Sequence, residues 1–63
     1  MNAIKKKAIR LAYKGTEAQV SAFEDAQGAS LSSVLDDLWA TASEHGDQKI
    51  ADRLEKAFNH LTE

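Results

Sequence analysis

Residues 31–61, LSSVLDDLWATASEHGDQKIADRLEKAFNHL, decide the fold of this 63-residue chain. Apolar residues recur three and four positions apart on both sides of Gly46, which is the spacing of an amphipathic helix. The Gly46-Asp47 connection is so short that the two helices must run antiparallel. The stretch therefore predicts a helical hairpin, with Ser30 as the N-cap of its first helix and Asp47 as the N-cap of its second.

Each helix of this hairpin has a second apolar row beside the one that its neighbour covers. The second rows contain Leu35, Trp39 and Phe58. Full burial of one such side chain contributes about 1.5–3 kcal/mol, which is a large part of the stability of a small domain. We expect the rest of the chain, a second copy or a partner to cover these rows. Leu35, Trp39 and Phe58 are the leading candidates for a partner interface, since aromatic anchors carry much of the energy of interfaces.

Two shorter helices are predicted before the hairpin. Residues 4–14 are amphipathic and end at Gly15, a C′ glycine. Thr16 and Gln19 have the spacing of a capping box, and the helix that they open ends at Gly28. We expect these two helices to turn the following residues inward: Ile4, Ala8, Ile9, Leu11, Ala12, Ala18, Val20, Ala22, Phe23 and Ala26. With eleven Ala and no Pro, the chain is expected to be one all-α domain over residues 1–63, a small bundle of three to four helices with a C-terminal antiparallel hairpin.

The small size of the chain favours oligomerisation. A domain of about 60 residues buries only about 60 % of its unfolded surface and is marginally stable. The sequence has no Cys, so disulfides cannot supply the missing stability. We therefore expect a homodimer. No run of 18 apolar residues and no secretory leader is present, so the expected location is the cytoplasm, without a membrane partner.

The charges are unevenly distributed. Residues 1–14 carry five positive charges, and from residue 15 to residue 48 there is no Lys or Arg and seven acidic residues. The basic face of the first helix consists of Lys6, Lys7, Arg10 and Lys14. This face can be solvated and partly neutralised by the acidic helices, it can contact phosphate weakly and without sequence preference, or it can meet an acidic protein or a membrane surface. The sequence leaves these alternatives open.

Catalysis is not expected. His45 and His60 fall on different helices, and the chain has no Cys, phosphate-binding loop or glycine-rich fingerprint beside them. His45 lies near a helix C-terminus, where a partial positive charge offsets the helix dipole. Sequence-specific DNA reading by the helix after Gly28 is not expected either, because its exposed Asp36 and Asp37 would repel phosphate. We expect no enzyme activity, no cofactor and no bound metal.

From Arg10 to His45 the pattern RL…T…V..F…LS…LW.TASEH resembles the Hha/YmoA family of small enterobacterial regulators. The matching positions are Arg10, Leu11, Thr16, Val20, Phe23, Leu31, Ser32, Trp39, Ala42, Glu44 and His45. The resemblance implies an accessory regulator that docks on an H-NS-like nucleoid protein. It also implies a partner-facing set of Glu17, Glu24, Asp25 and Glu44, and a DNA-facing set of Lys6, Lys7, Arg10 and Lys14.

The expected function is that of a small non-enzymatic regulator of bacterial, phage or plasmid origin. It would act by protein–protein binding, on a transcriptional or nucleoid-associated partner. The alternative is a weak non-specific nucleic-acid binder that uses its basic first helix.

Overall fold

The fold consists of four α-helices, as a computed structural model of residues 3–63 shows. The helices are α1 (Ala3–Lys14), α2 (Glu17–Gln27), α3 (Leu31–Glu44) and α4 (Gln48–Thr62). The described residues contain no β-strand. The helices α3 and α4 form the antiparallel hairpin, so the predicted all-α bundle is confirmed. None of the four helices combines the length and the apolar character that crossing a bilayer requires.

Side-chain caps set where α2 and α3 begin. The Thr16 hydroxyl accepts a hydrogen bond from the Gln19 N–H at 3.2 Å, and the Thr16 N–H donates to Gln19 Oε1 at 3.1 Å. This reciprocal pair is the predicted capping box. The Ser30 hydroxyl accepts from the Ser33 N–H at 3.3 Å, as expected for an N-cap serine. Both helices therefore start where the sequence indicated.

The connection between α3 and α4 is a Schellman motif. Gly46 takes a left-handed conformation with φ 73°. The Gly46 N–H donates to the Ser43 carbonyl at 3.1 Å, and the Asp47 N–H donates to the Ala42 carbonyl at 2.9 Å. Asp47 occupies the predicted N-cap position of α4, but its side chain makes no capping hydrogen bond. Its ψ of 75° departs from the extended backbone that Thr16 adopts at ψ 163°.

The core lies between α1, α3 and α4. Its largest fully buried side chains are Leu31, Leu35 and Leu54, and small residues such as Ala8 and Ala51 let the helix backbones approach closely. The helix α1 packs against both α3 and α4, whereas α2 packs mainly against α3. Since the only residue that α2 buries fully is Phe23, this helix is the least anchored of the four.

The inner face of α2 differs from the prediction. Ala18, Ala22 and Ala26 were expected to face the core, but all three are exposed. The helices α1 and α2 have few backbone contacts with each other, and at their connection Gly15 packs against the last turn of α1. A Cβ at Gly15 would lie 2.7 Å from the Leu11 carbonyl oxygen. The two helices leave a groove between them that no other part of the described chain fills.

Candidate functional site in the groove between α1 and α2

The three predicted interface side chains have different environments. Leu35 is 0 % exposed and belongs to the core. Its expected role in a partner interface does not fit this structure, because α3 turns it toward the other helices. Phe58 is partly buried against the core. Trp39 is 39 % exposed, so it is the one member of this set that offers a large apolar surface to a partner.

The acidic residues that the family resemblance implied as partner-facing are not brought together. Glu17 and Glu24 line one shallow pocket of about 510 Å³ on α2. Glu24 also has an internal partner, since its Oε2 accepts a 2.6 Å hydrogen bond from the Leu31 N–H. It therefore fastens α2 to the start of α3. Asp25 is exposed and does not line the pocket. Glu44 ends the 14-residue α3, about 20 Å from its beginning at about 1.5 Å per residue.

The basic residues of α1, in contrast, are brought to one site. Lys6, Lys7, Arg10 and Lys14 all line an open groove between α1 and α2, with a volume of about 840 Å³. We call this site the α1–α2 groove. Its other lining residues are Ala3, Ile4, Leu11, Gly15, Gln19, Ala22, Phe23, Ala26 and Gln27.

The α1–α2 groove has an apolar floor. Leu11 and Phe23 are buried beneath it, and the exposed Ala22 and Ala26 supply small side chains on the α2 side. Ile4 is 40 % exposed and extends the apolar surface toward the N-terminal end of α1. The groove therefore offers apolar contact along its length, with room for side chains that enter between the two helices.

The wall of the groove on the α1 side is positively charged. No carboxylate is among the lining residues. Within residues 3–63, Lys6, Arg10 and Lys14 make no ion pair. The Lys7 ammonium lies 5.8 Å from the centre of the Phe23 ring, which is a cation–π distance. Of the alternatives left open by the sequence, neutralisation of these three residues by the chain's own acidic helices is not seen.

The sequence missed the contribution of α2 to this site. Alanines at four-residue spacing suggested core contacts, and the same spacing equally describes a groove lined by small side chains. It also missed a contact of the last turn of α1, where the rings of Tyr13 and His60 lie 4.7 Å apart and are tilted by 36°. Tyr13 is 45 % exposed, so this ring pair covers only part of its surface.

No protein-family model, curated protein or solved structure matches this chain. The resemblance to the Hha/YmoA family therefore stays a prediction. Among residues 3–63, no group of three or more His, Asp or Glu side chains is arranged to hold a metal ion.

Proposed function

We propose that this protein is a small, non-enzymatic interaction protein that regulates a partner protein by binding it, and that the α1–α2 groove is its binding site. The occupant is an acidic, amphipathic helix. The observation that carries this proposal is the combination in one groove of an apolar floor with four cations and no carboxylate. An amphipathic helix laid in a groove uses both features, since its apolar side chains enter the groove and its acidic ones reach the wall.

The energetics of α1 support a binding role for its charges. Lys6, Arg10 and Lys14 stand four residues apart, and like charges at this spacing destabilise a helix by about 0.2–0.5 kcal/mol per pair. The first turn of α1 contains no acidic residue, so Lys6 opposes the helix dipole. An acidic ligand over this face would remove the repulsion. Local arrangements that cost stability without an internal compensation are typical of functional sites.

Nucleic acid is the alternative ligand of the same four basic side chains. Phosphate contacts need Lys and Arg but gain nothing from Leu11, Phe23 and the α2 alanines beneath them. Four such contacts would give weak affinity that falls steeply with salt. The apolar floor therefore favours a protein helix over a nucleic acid.

A membrane surface fits less well. An interfacial helix binds a bilayer by burying its own apolar face in the lipid. In α1 that face consists of Ala8, Leu11 and Ala12, which are buried in the core of the protein. Binding lipid through this face would require α1 to leave the bundle. We propose a cytoplasmic protein partner instead.

The test is a fluorescence anisotropy titration with three labelled probes. The first is a helical peptide with Leu at positions i, i+3, i+4 and i+7 and Glu at the remaining positions. The second has Lys in place of every Glu, and the third is a random DNA duplex at about 50 mM salt. We expect the acidic peptide to bind and the basic peptide to fail, because only the former complements the wall of the groove.

A matched pair of variants assigns the binding to the groove. Arg10→Glu should weaken the binding of the acidic peptide by at least about tenfold, because like charges that meet in an interface are strongly unfavourable. Arg53→Glu makes the same change at an exposed position of α4 outside the groove and should leave binding unchanged. Equal effects of the two variants, or tighter binding of the duplex than of the acidic peptide, would overturn the proposal.

A further inference from the structure

The exposed side of α3 has the opposite character to the α1–α2 groove. Trp39 is 39 % exposed there, and the exposed Asp36, Asp37 and Glu44 lie on the same helix. We call these four residues the Trp39 face. The helix contains no Lys or Arg. At about 100° per residue, Asp36 lies about 60° from Trp39 around the helix and Asp37 and Glu44 lie about 140–160° away, so Trp39 forms one edge of this acidic side. The Trp39 face is itself the outer side of an acidic, amphipathic helix.

Charge decides which surface of a second copy can cover the Trp39 face. Pairing the face with itself would bring Asp36 and Asp37 against their own copies, and pairing two grooves would bring Lys and Arg against Lys and Arg. Both arrangements place like charges together in an interface, which is strongly unfavourable. The crossed arrangement places the carboxylates of one copy against the cations of the other. It also places the indole of Trp39 over the apolar floor near Phe23, where the exposed part of the indole loses contact with water.

We propose that the Trp39 face of one copy docks in the α1–α2 groove of a second copy. This inference rests on the proposed function, because it assigns the chain's own α3 as one acidic helix that the groove accepts. The two surfaces differ, so a single contact would leave one groove and one face free. When each copy docks its Trp39 face in the groove of the other copy, the pair closes around a two-fold axis.

Self-association of this kind would regulate the groove. In the closed pair each groove is occupied, so a partner helix has to displace the Trp39 face before it can bind. The concentration of the protein then sets how many grooves are free. Adding the acidic peptide should accordingly convert pairs into single chains, each with a bound peptide.

Sedimentation velocity tests the pairing. The unaltered chain is expected to sediment at twice its mass of 6.9 kDa. Arg10→Glu and Asp36→Arg should each weaken association by at least about tenfold, because each places like charges in the interface. Glu55→Lys reverses a charge at an exposed position of α4 and should leave association unchanged. Trp39→Ala should abolish association while the helical circular dichroism is retained.

Mixing the two charge variants gives the sharper result. In the mixture, the carboxylate that Arg10→Glu adds to one groove complements the cation that Asp36→Arg adds to the other copy's face, and the two unaltered surfaces complement each other. We expect an equimolar mixture to associate although each variant alone is weakened, which misfolding cannot produce. Failure of the mixture to associate would overturn the pairing, as would an unaltered chain that stays monomeric up to about 1 mM. A monomeric chain that still binds the acidic peptide would overturn only the pairing, and the proposed function of the groove would stand.

Discussion

Replacing Leu35 by Ala should remove a large part of the stability of the isolated chain. Leu35 is 0 % exposed between the helices of the bundle. The substitution removes three carbon atoms with their hydrogens. At about 0.8 kcal/mol for each buried carbon group, the lost free energy of transfer from water is about 2.4 kcal/mol. The cavity left behind raises the cost to about 3–4 kcal/mol. A domain of this length has a total stability of about 3–9 kcal/mol, so the variant should be close to unfolding at room temperature.

The assay is thermal and urea unfolding followed by far-ultraviolet circular dichroism. In a domain of this size about 1 kcal/mol corresponds to about 4–8 °C in Tm, so Leu35→Ala should lower the Tm by at least about 10 °C. Leu35→Met keeps the volume nearly constant and is the matched control, with an expected cost below about 1.5 kcal/mol. A loss below about 1 kcal/mol for Leu35→Ala would refute the placement of this side chain in the core of a single chain.

Three further predictions concern how α2 is attached. Glu24→Ala should lower the free energy of unfolding by about 1–2 kcal/mol in a urea titration, because the Leu31 N–H loses its carboxylate acceptor. Asp25→Ala changes the exposed neighbouring position and should lower it by less. Equal losses for the two variants would contradict the role of Glu24. Gly15→Ala should cost about 1–3 kcal/mol in the same titration, because the new Cβ would meet Leu11; an unchanged midpoint would count against this close approach. Amide hydrogen exchange should be at least about tenfold faster in α2 than in α3, since α2 buries a single residue; equal protection would show that α2 is held as firmly as the core.

The helices and most of their boundaries could be predicted because they depend on local chemistry. Thr16 with Gln19 and Ser30 with Ser33 form their caps within a few residues of sequence. The left-handed Gly46 stops α3 in the same local way. Asp47 was predicted correctly as the N-cap residue of α4, but its side-chain capping bond does not form at a ψ of 75°.

The candidate site could be predicted only in part. The basic column of α1 is visible in the sequence, since helical periodicity places its cations on one face. What lies opposite depends on how far α2 stands from α1, and no local pattern encodes that distance. The same limit applies to the second apolar row of α3, where tertiary packing buries Leu35 and leaves Trp39 partly in water.

The most direct test of the groove as a binding site is to map the acidic peptide onto the protein by NMR. In ¹⁵N-labelled protein titrated with the unlabelled peptide, the largest amide shift changes should fall on both walls of the α1–α2 groove, at Lys7 on one side and at Ala22 and Ala26 on the other. The amides of Arg53 and Glu55 on α4 should stay in place. A spectrum that does not change, or changes concentrated on α4, would contradict the account.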